Sequence, residues 1–341
     1  MSDRVTGFGQ TIDDYELMNG RMTLADACKA ISEKEAGANY LTCPMGELSI
    51  DNGSLLHNND IISSFLSNDE YEKLCGLLNI PTAYLLRLSP KMRKLNIEYW
   101  FDQYDEKEVS LSYKDGQLLD IVDGLDIKLQ DVLGILLESM PDAVIFRVSS
   151  QLNSTMFDIY DESMSFDTEY DTYFGGIRLV HRKGFNAPDI SPIFLNVNSC
   201  GIIECSEYIE KMQIKNLTYK DILQVIREHV GICADALPSL FHAFESIAAQ
   251  KISNPHRRIA LYCREHNVPE RVRSYALSSF DETGLQDADF EILVDLFSSL
   301  GYANEIKLAS ERKLQKLAGY IIVKARGEHR CDKCDSQINN D

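Results

Sequence analysis

No run of apolar residues in this chain approaches the roughly 20 needed to cross a bilayer as a helix. The opening stretch, MSDRVTGFGQTIDDYELMNG, contains no apolar signal core. Membrane association and export by a signal peptide are therefore not expected, and the cytoplasm is the expected compartment. Positive charge is scarce, with 34 Lys and Arg against 53 Asp and Glu and a net charge of −19. That balance excludes attraction of the whole surface to nucleic acid or anionic lipid, while a local basic patch can still bind phosphate. Recurrent catalytic signatures are missing as well. There is no Gly-x-Ser-x-Gly turn, no Gly-rich loop ending in Gly-Lys-Ser or Gly-Lys-Thr, and no His-Glu-x-x-His helix. No residue set reads as catalytic.

What is present is enough apolar material, 44% of 341 residues, to bury a core and to fill two or three domains. The nine cysteines are odd in number and scattered, and most read as small buried hydrophobes of a reducing compartment. The pattern predicts an α+β protein: a central mixed or antiparallel sheet with flanking helices and a C-terminal helical bundle. Five segments follow from composition: a flexible N-terminus (1–22), a mainly helical section (23–100), a β-rich centre (101–207), a helical domain (208–325) and a polar tail (326–341).

Thr23 caps a predicted helix with apolar residues Leu24, Ala27, Cys28 and Ile31. Asp51-Asn52-Gly53 suits a hairpin turn. Ser67, followed by Asp69 and Glu70, opens a second helix, and Pro81 a third. VSLSY and QLLDIV around Asp115-Gly116 read as a hairpin. Strands are expected over 143–149 and 156–160, and then over Tyr173 to Cys205, where Ile177 and Leu179 alternate with Arg178 and Val180. Helices are expected over 220–229, 234–250, 255–266, 269–280, 287–300 and 310–324.

The stretch Tyr173 to Cys205 is also where bases interrupt an acidic chain, as Arg178 and then His181-Arg182-Lys183, with Tyr170, Tyr173, Phe174 and Phe185 close by. Rings that stack bases beside charges that hold phosphates are the parts of a single-strand platform. A second basic stretch carries Lys251, Arg257, Arg258, Arg264, Arg271 and Arg273 against only Glu265 and Glu270. It is followed by the wholly acidic 281–295, so opposite faces can also pair within the molecule or between subunits. A third, smaller one is Arg87, Lys91, Arg93 and Lys94, a modest phosphate candidate. The nucleic-acid-binding candidates are accordingly Arg178, His181, Arg182, Lys183, Arg257, Arg258, Arg264, Arg271 and Arg273.

Two stretches raise the question of metal. Asp158 to Asp171 holds six carboxylates and no base, which reads as a solvated acidic edge more readily than as a cation loop. His329, Cys331 and Cys334 supply three zinc donors in the tail. A fourth would have to come from the Cys200/Cys205 pair or from a partner. No cofactor is expected by default, with zinc as the alternative.

The order of features resembles the phage/plasmid-like family of uncharacterised proteins known as the domain of unknown function 932. Four segments carry the likeness: LNIPTAYLLRL (78–88), VSLSYKDGQLLDIVDG (109–124), GGIRLVHRKGFNAPDISPIFLNVNSCGII (175–203) and KLQKLAGYII (313–322). Asn79 stands where that family has Gly. The resemblance implies a mobile-element origin and a part in DNA metabolism, host takeover or counter-defence.

The expected function is that of a non-enzymatic accessory protein of phage or plasmid DNA metabolism that binds single-stranded DNA or RNA and forms a homo-oligomer. One alternative is an acidic protein–protein module, an inhibitor or adaptor of a host nucleic-acid-binding or defence protein, and a host or phage protein is the expected partner. Another is a metal-dependent enzyme acting on nucleic acid.

Overall fold

A computed structural model describes residues 22–338, apart from 152–153, 169–170, 183–186, 211, 213, 215–216, 286, 301–305 and 307. At 34, 151, 308 and 325–338 it describes the backbone only. The described chain is α+β, with ten α-helices and four antiparallel sheets.

It opens with strand β1 (Met22–Thr23) and helix α1 (Leu24–Glu35). Thr23 caps α1, its Oγ1 accepting from Asp26 N at 3.1 Å. The chain then builds a unit of its own. Strand β2 (Asn39–Pro44) leads through a single 3-10 turn to the meander β3 (Leu48–Asp51), β4 (Ser54–His57) and β5 (Asp60–Ser63). Helices α2 (Asn68–Leu78), α3 (Thr82–Arg87) and α4 (Pro90–Gln103) follow. Ser67 and Glu70 close a reciprocal capping box at the start of α2, and Asn79 ends it in the left-handed region at φ 54°. Strands β6 (Glu108–Lys114) and β7 (Gln117–Asp123) form the hairpin expected around Asp115-Gly116. Both turn residues have positive φ, 52° and 72°, which Asp tolerates and Gly adopts freely.

That hairpin packs with the elements before residue 101. It belongs to the N-terminal unit, where β6 pairs with β2, and Val109, Leu111, Leu118 and Ile121 share a core with Leu74, Ile97 and Phe101. Conversely, β1 and α1 belong to the central unit, because β1 pairs with β8 (Val144–Gln151).

Helix α5 (Leu129–Ser139) precedes the main sheet, which comprises β8, β9 (Ser154–Asp167), β10 (Thr172–Arg182), β11 (Asp189–Asn196) and β12 (Ile202–Glu204), with β1 on its outer edge. One face is apolar. Ile145, Phe157, Ile159, Ile177 and Leu179 pack against Leu133 and Leu136 of α5 and against Ile222, Ile226 and Val230 of α6 (Tyr219–Ala248). The approach of β9 to β10 is close enough that a Cβ on Gly176 would lie 2.1 Å from Ile159 O, which explains a glycine inside a buried strand.

Helix α6 is one 30-residue element where two were expected. Thr218 and Asp221 cap its start reciprocally, and it runs through Gly231 and Pro238. Its apolar stripe Val230, Cys233, Leu237, Leu240 and Phe244 never breaks, so tertiary packing overrides the local breakers. Beyond it, β13 (Lys251–Ile252), α7 (Pro255–Glu265), α8 (Glu270–Glu282), β14 (Ala288–Asp289) and α9 (Phe290–Leu300) wrap a second core. The last element, α10 (Leu308–Ile338), extends well past the expected end at residue 324. Its Leu314, Leu317, Ala318 and Ile321 enter that core, and Gly319 lets it pass β12 so closely that a Cβ there would meet Glu204 O at 2.1 Å.

Candidate functional surfaces

Arg178, the strand member of the expected nucleic-acid platform on β10, is not at a surface. Arg178 has zero exposure and points to the face of the main sheet that α10 covers. A polar row crosses the strands there, with Arg147 opposite Asp158, Asp158 opposite Arg178, and Arg178 opposite Ser191. Arg178 donates from Nε to Asp158 Oδ1 at 2.5 Å and from Nη2 to Oδ2 at 2.9 Å. Its Nη1 donates to Glu204 Oε2 at 2.6 Å and to Gln315 Oε1 at 2.8 Å. Arg312 of α10 donates to both oxygens of Glu204 at 3.1 and 3.0 Å, and Lys316 lies 3.5 Å from it. Arg147 completes the cluster by bridging Asp158 and Glu311.

This geometry sets the ionisation of its members. Burial by itself would raise both carboxyls. The guanidiniums of Arg178 and Arg147 instead hold Asp158 below its ordinary range. Arg178, Arg312 and Lys316 bring Glu204 down to about 2. Burial works against the charge of Arg178, but Asp158 and Glu204 more than offset it. The cluster ties the sheet to α10 through Arg178–Gln315, Arg312–Glu204 and Arg147–Glu311.

The remaining members of the expected β10 site differ in their settings. His181 is buried, and its Nε2–H donates to Ile127 O at 2.6 Å. Arg182 pairs with Asp189 at 2.6 Å. Lys183, Tyr170 and Phe185 lie outside the described residues. Tyr173 and Phe174 are ring packing: Tyr173 meets Phe244 edge-on, and Phe174 stacks on Tyr160 at 5.6 Å.

The helical half of the candidate set is different. Arg257 and Arg264 stand seven residues apart on α7, hence on one face, with the exposed Leu261 between them. Arg271 is exposed in the first turn of α8, which begins five residues after α7 ends. Among the described residues none of these three guanidiniums has a carboxylate partner. Arg258 and Arg273 are less available. The first lies over the Tyr262 ring at 5.7 Å, and the second pairs with Glu270 at 3.0 Å.

The acidic stretch that follows is largely spent inside the molecule. Asp281 accepts from His256 at 2.6 Å, and Asp289 pairs with Lys251 at 3.3 Å where β13 meets β14. Asp295 accepts from Asn196 Nδ2 and Ser199 Oγ, both at 3.0 Å. Glu291 accepts from Thr168 at 2.5 Å. Burial pushes Asp295 and Glu291 above the usual carboxylate range, and neighbouring Asp171 adds to it.

The Asp158 to Asp171 stretch is a solvated edge only in part: Asp158 and Asp161 are buried, whereas Glu162 and Asp167 are exposed where β9 runs on past its pairing with β8. No group of three or more His, Cys, Asp or Glu side chains suited to a metal occurs among the described residues. Of the expected Cys200/Cys205 donor pair, Cys205 is sealed in the core, where burial raises its thiol pKa, while Cys200 is half-buried. His329, Cys331 and Cys334 fall on the backbone of α10, and their side chains lie outside the described residues. No described helix is long and apolar enough to cross a membrane.

No family model, no curated protein and no solved structure matches this chain.

Proposed function

We propose that this is a nucleic-acid-binding accessory protein that makes and breaks no bond itself and holds single strands through the α7–α8 surface. The observation that carries this reading is the trio Arg257, Arg264 and Arg271, exposed on adjoining helices and unpaired with any carboxylate among the described residues. In a chain of net charge −19, bases on a surface are ordinarily absorbed by neighbouring acids. Here three of the nearby acids are used elsewhere, Glu270 by Arg273, Asp281 by His256 and Asp289 by Lys251, which leaves Glu265 beside Arg264. Guanidinium is suited to phosphate because its planar fork donates two parallel hydrogen bonds. The acidic remainder of the surface would keep a bound strand on that one face and oppose indiscriminate adsorption. Half-buried Tyr275 on α8 and exposed Leu261 on α7 supply nearby apolar contact for bases.

The reading is tested by fluorescence anisotropy of labelled single-stranded DNA, single-stranded RNA and duplex DNA, each titrated with the full chain at low and at high salt. Salt-sensitive binding that favours single strands is expected. Absence of binding at low salt refutes the reading.

A further inference from the structure

Helix α4 carries two apolar stripes. Ile97 and Phe101 face inward to the N-terminal core. Met92, Leu95 and Tyr99 recur at i, i+3 and i+7 on the other side, and each exposes about half of its surface. Facing them across a groove of about 510 Å³ are Ile80 and Tyr84, the latter also half exposed, with Trp100 at one wall. A solvated helix normally keeps such a stripe for a partner.

The rim of the groove identifies the partner's chemistry. From Lys73 to Ile97 the chain holds five bases and no acid. Arg93 is consumed internally, donating to Leu86 O at 2.6 Å and Leu88 O at 3.0 Å at the end of α3. Lys94 is paired with Asp51 and Glu98. Arg87 and Lys91 are exposed and, among the described residues, have no carboxylate partner. Arg87 follows Tyr84 by three positions and Lys91 precedes Leu95 by four, so both bases sit on the faces that carry the groove's walls. The lining itself contains no charged residue. Two bases at the rim of an uncharged trough are too few to track a phosphate backbone, but they suit the acidic flank of a helix whose apolar side fills the trough.

We propose that the α3–α4 groove docks an acidic amphipathic helix of a protein partner. The partner's apolar residues at i, i+3 or i+4 and i+7 lie on Tyr84, Met92, Leu95 and Tyr99, and its carboxylates meet Arg87 and Lys91. This surface is separate from the arginines of α7 and α8, and the inference does not depend on nucleic-acid binding.

Trp100 is the sole tryptophan of the chain and reports on the groove directly. The full chain is titrated with a tryptophan-free, labelled synthetic helix of about 16 residues, with Leu on one face and Glu on the other. A twin carrying Lys in place of Glu is run beside it. Saturable binding that shifts Trp100 emission is expected, weakened at least about tenfold in the Lys twin, in Leu95→Asp and in Lys91→Glu. Both substitutions are at exposed positions, and an unchanged circular dichroism spectrum shows the fold is kept. Several results would overturn the proposal. One is no binding of the acidic helix. Another is equal binding by wild type and both variants. A third is a Trp100 shift given by a thymidine homopolymer and abolished by Leu95→Asp. The last is self-association in sedimentation that Leu95→Asp removes, which would assign the groove to a second copy.

Discussion

Arg178 and Asp158 stand directly opposite each other on β10 and β9, joined by two parallel hydrogen bonds of 2.5 and 2.9 Å at zero exposure. Removing one member leaves the other as an uncompensated buried charge, so Arg178→Ala is expected to cost about 3–5 kcal/mol. Urea unfolding monitored by circular dichroism measures it. The corollary is that any fall in oligonucleotide binding by this variant follows its unfolded fraction, since Arg178 is out of reach of a bound strand.

Acid should act on the same cluster. Glu204 has its folded pKa depressed to about 2, below the ordinary value near 4.5. Its stabilisation is therefore complete above the ordinary value and is lost as pH falls from there towards 2. Unfolding free energy measured between pH 6 and pH 3 is expected to fall less steeply in Glu204→Gln than in the wild type. The variant itself is less stable at neutral pH. An identical slope would show that Glu204 is not held ionised by Arg178 and Arg312.

Asp295 should behave in the opposite sense. Its folded pKa is raised, so the folded state takes up a proton more readily than the unfolded chain and gains stability as pH falls through that window. Asn at this position keeps an oxygen to accept from Asn196 and Ser199 while removing a desolvated charge. Asp295→Asn is expected to match or exceed wild-type stability at pH 7 and to lose that advantage at lower pH, as read from melting temperatures across a pH series.

Gly319 tests the approach of α10 to the sheet. Replacing a helix-interior glycine by alanine ordinarily gains about 1 kcal/mol. Here the new Cβ would fall 2.1 Å from Glu204 O, a backbone atom that cannot swing aside. Gly319→Ala is expected to lose about 1–3 kcal/mol instead, with differential scanning calorimetry as the measurement.

Local signals in the sequence are sufficient for most elements. Caps at Thr23 and Ser67, the Asp115-Gly116 turn, and the alternation of Ile177 and Leu179 with Arg178 all place structure where it is found. What they do not convey is long-range pairing. The β6–β7 hairpin joins β2, some 70 residues earlier, and nothing in the hairpin's own residues names that partner. Arg178 is hidden from a sequence reading for the same reason. A charge on a strand looks like a solvated face until the covering element is known, and that element, α10, lies more than 130 residues away. One clue is present: Arg178 sits alone between Ile177 and Leu179 in an otherwise apolar run, and a charge buried in such a run has to be paired. The second apolar stripe of α4 is legible too, at Met92, Leu95 and Tyr99, but only once Ile97 and Phe101 are known to face inward.

The most direct test of the account uses Arg257→Gln, Arg264→Gln and Arg271→Gln together, at exposed sites where folding should not suffer. Labelled single-stranded DNA and RNA are titrated by anisotropy over a series of salt concentrations with this variant, with Arg87→Gln/Lys91→Gln, and with the wild type. The account predicts weaker binding in the triple variant for every sequence tried. The slope of log affinity against log salt should be reduced by about 2, at about 0.7 for each single-strand phosphate that is no longer neutralised, with the Arg87/Lys91 variant unchanged. Equal affinity and slope in the triple variant and the wild type would contradict it.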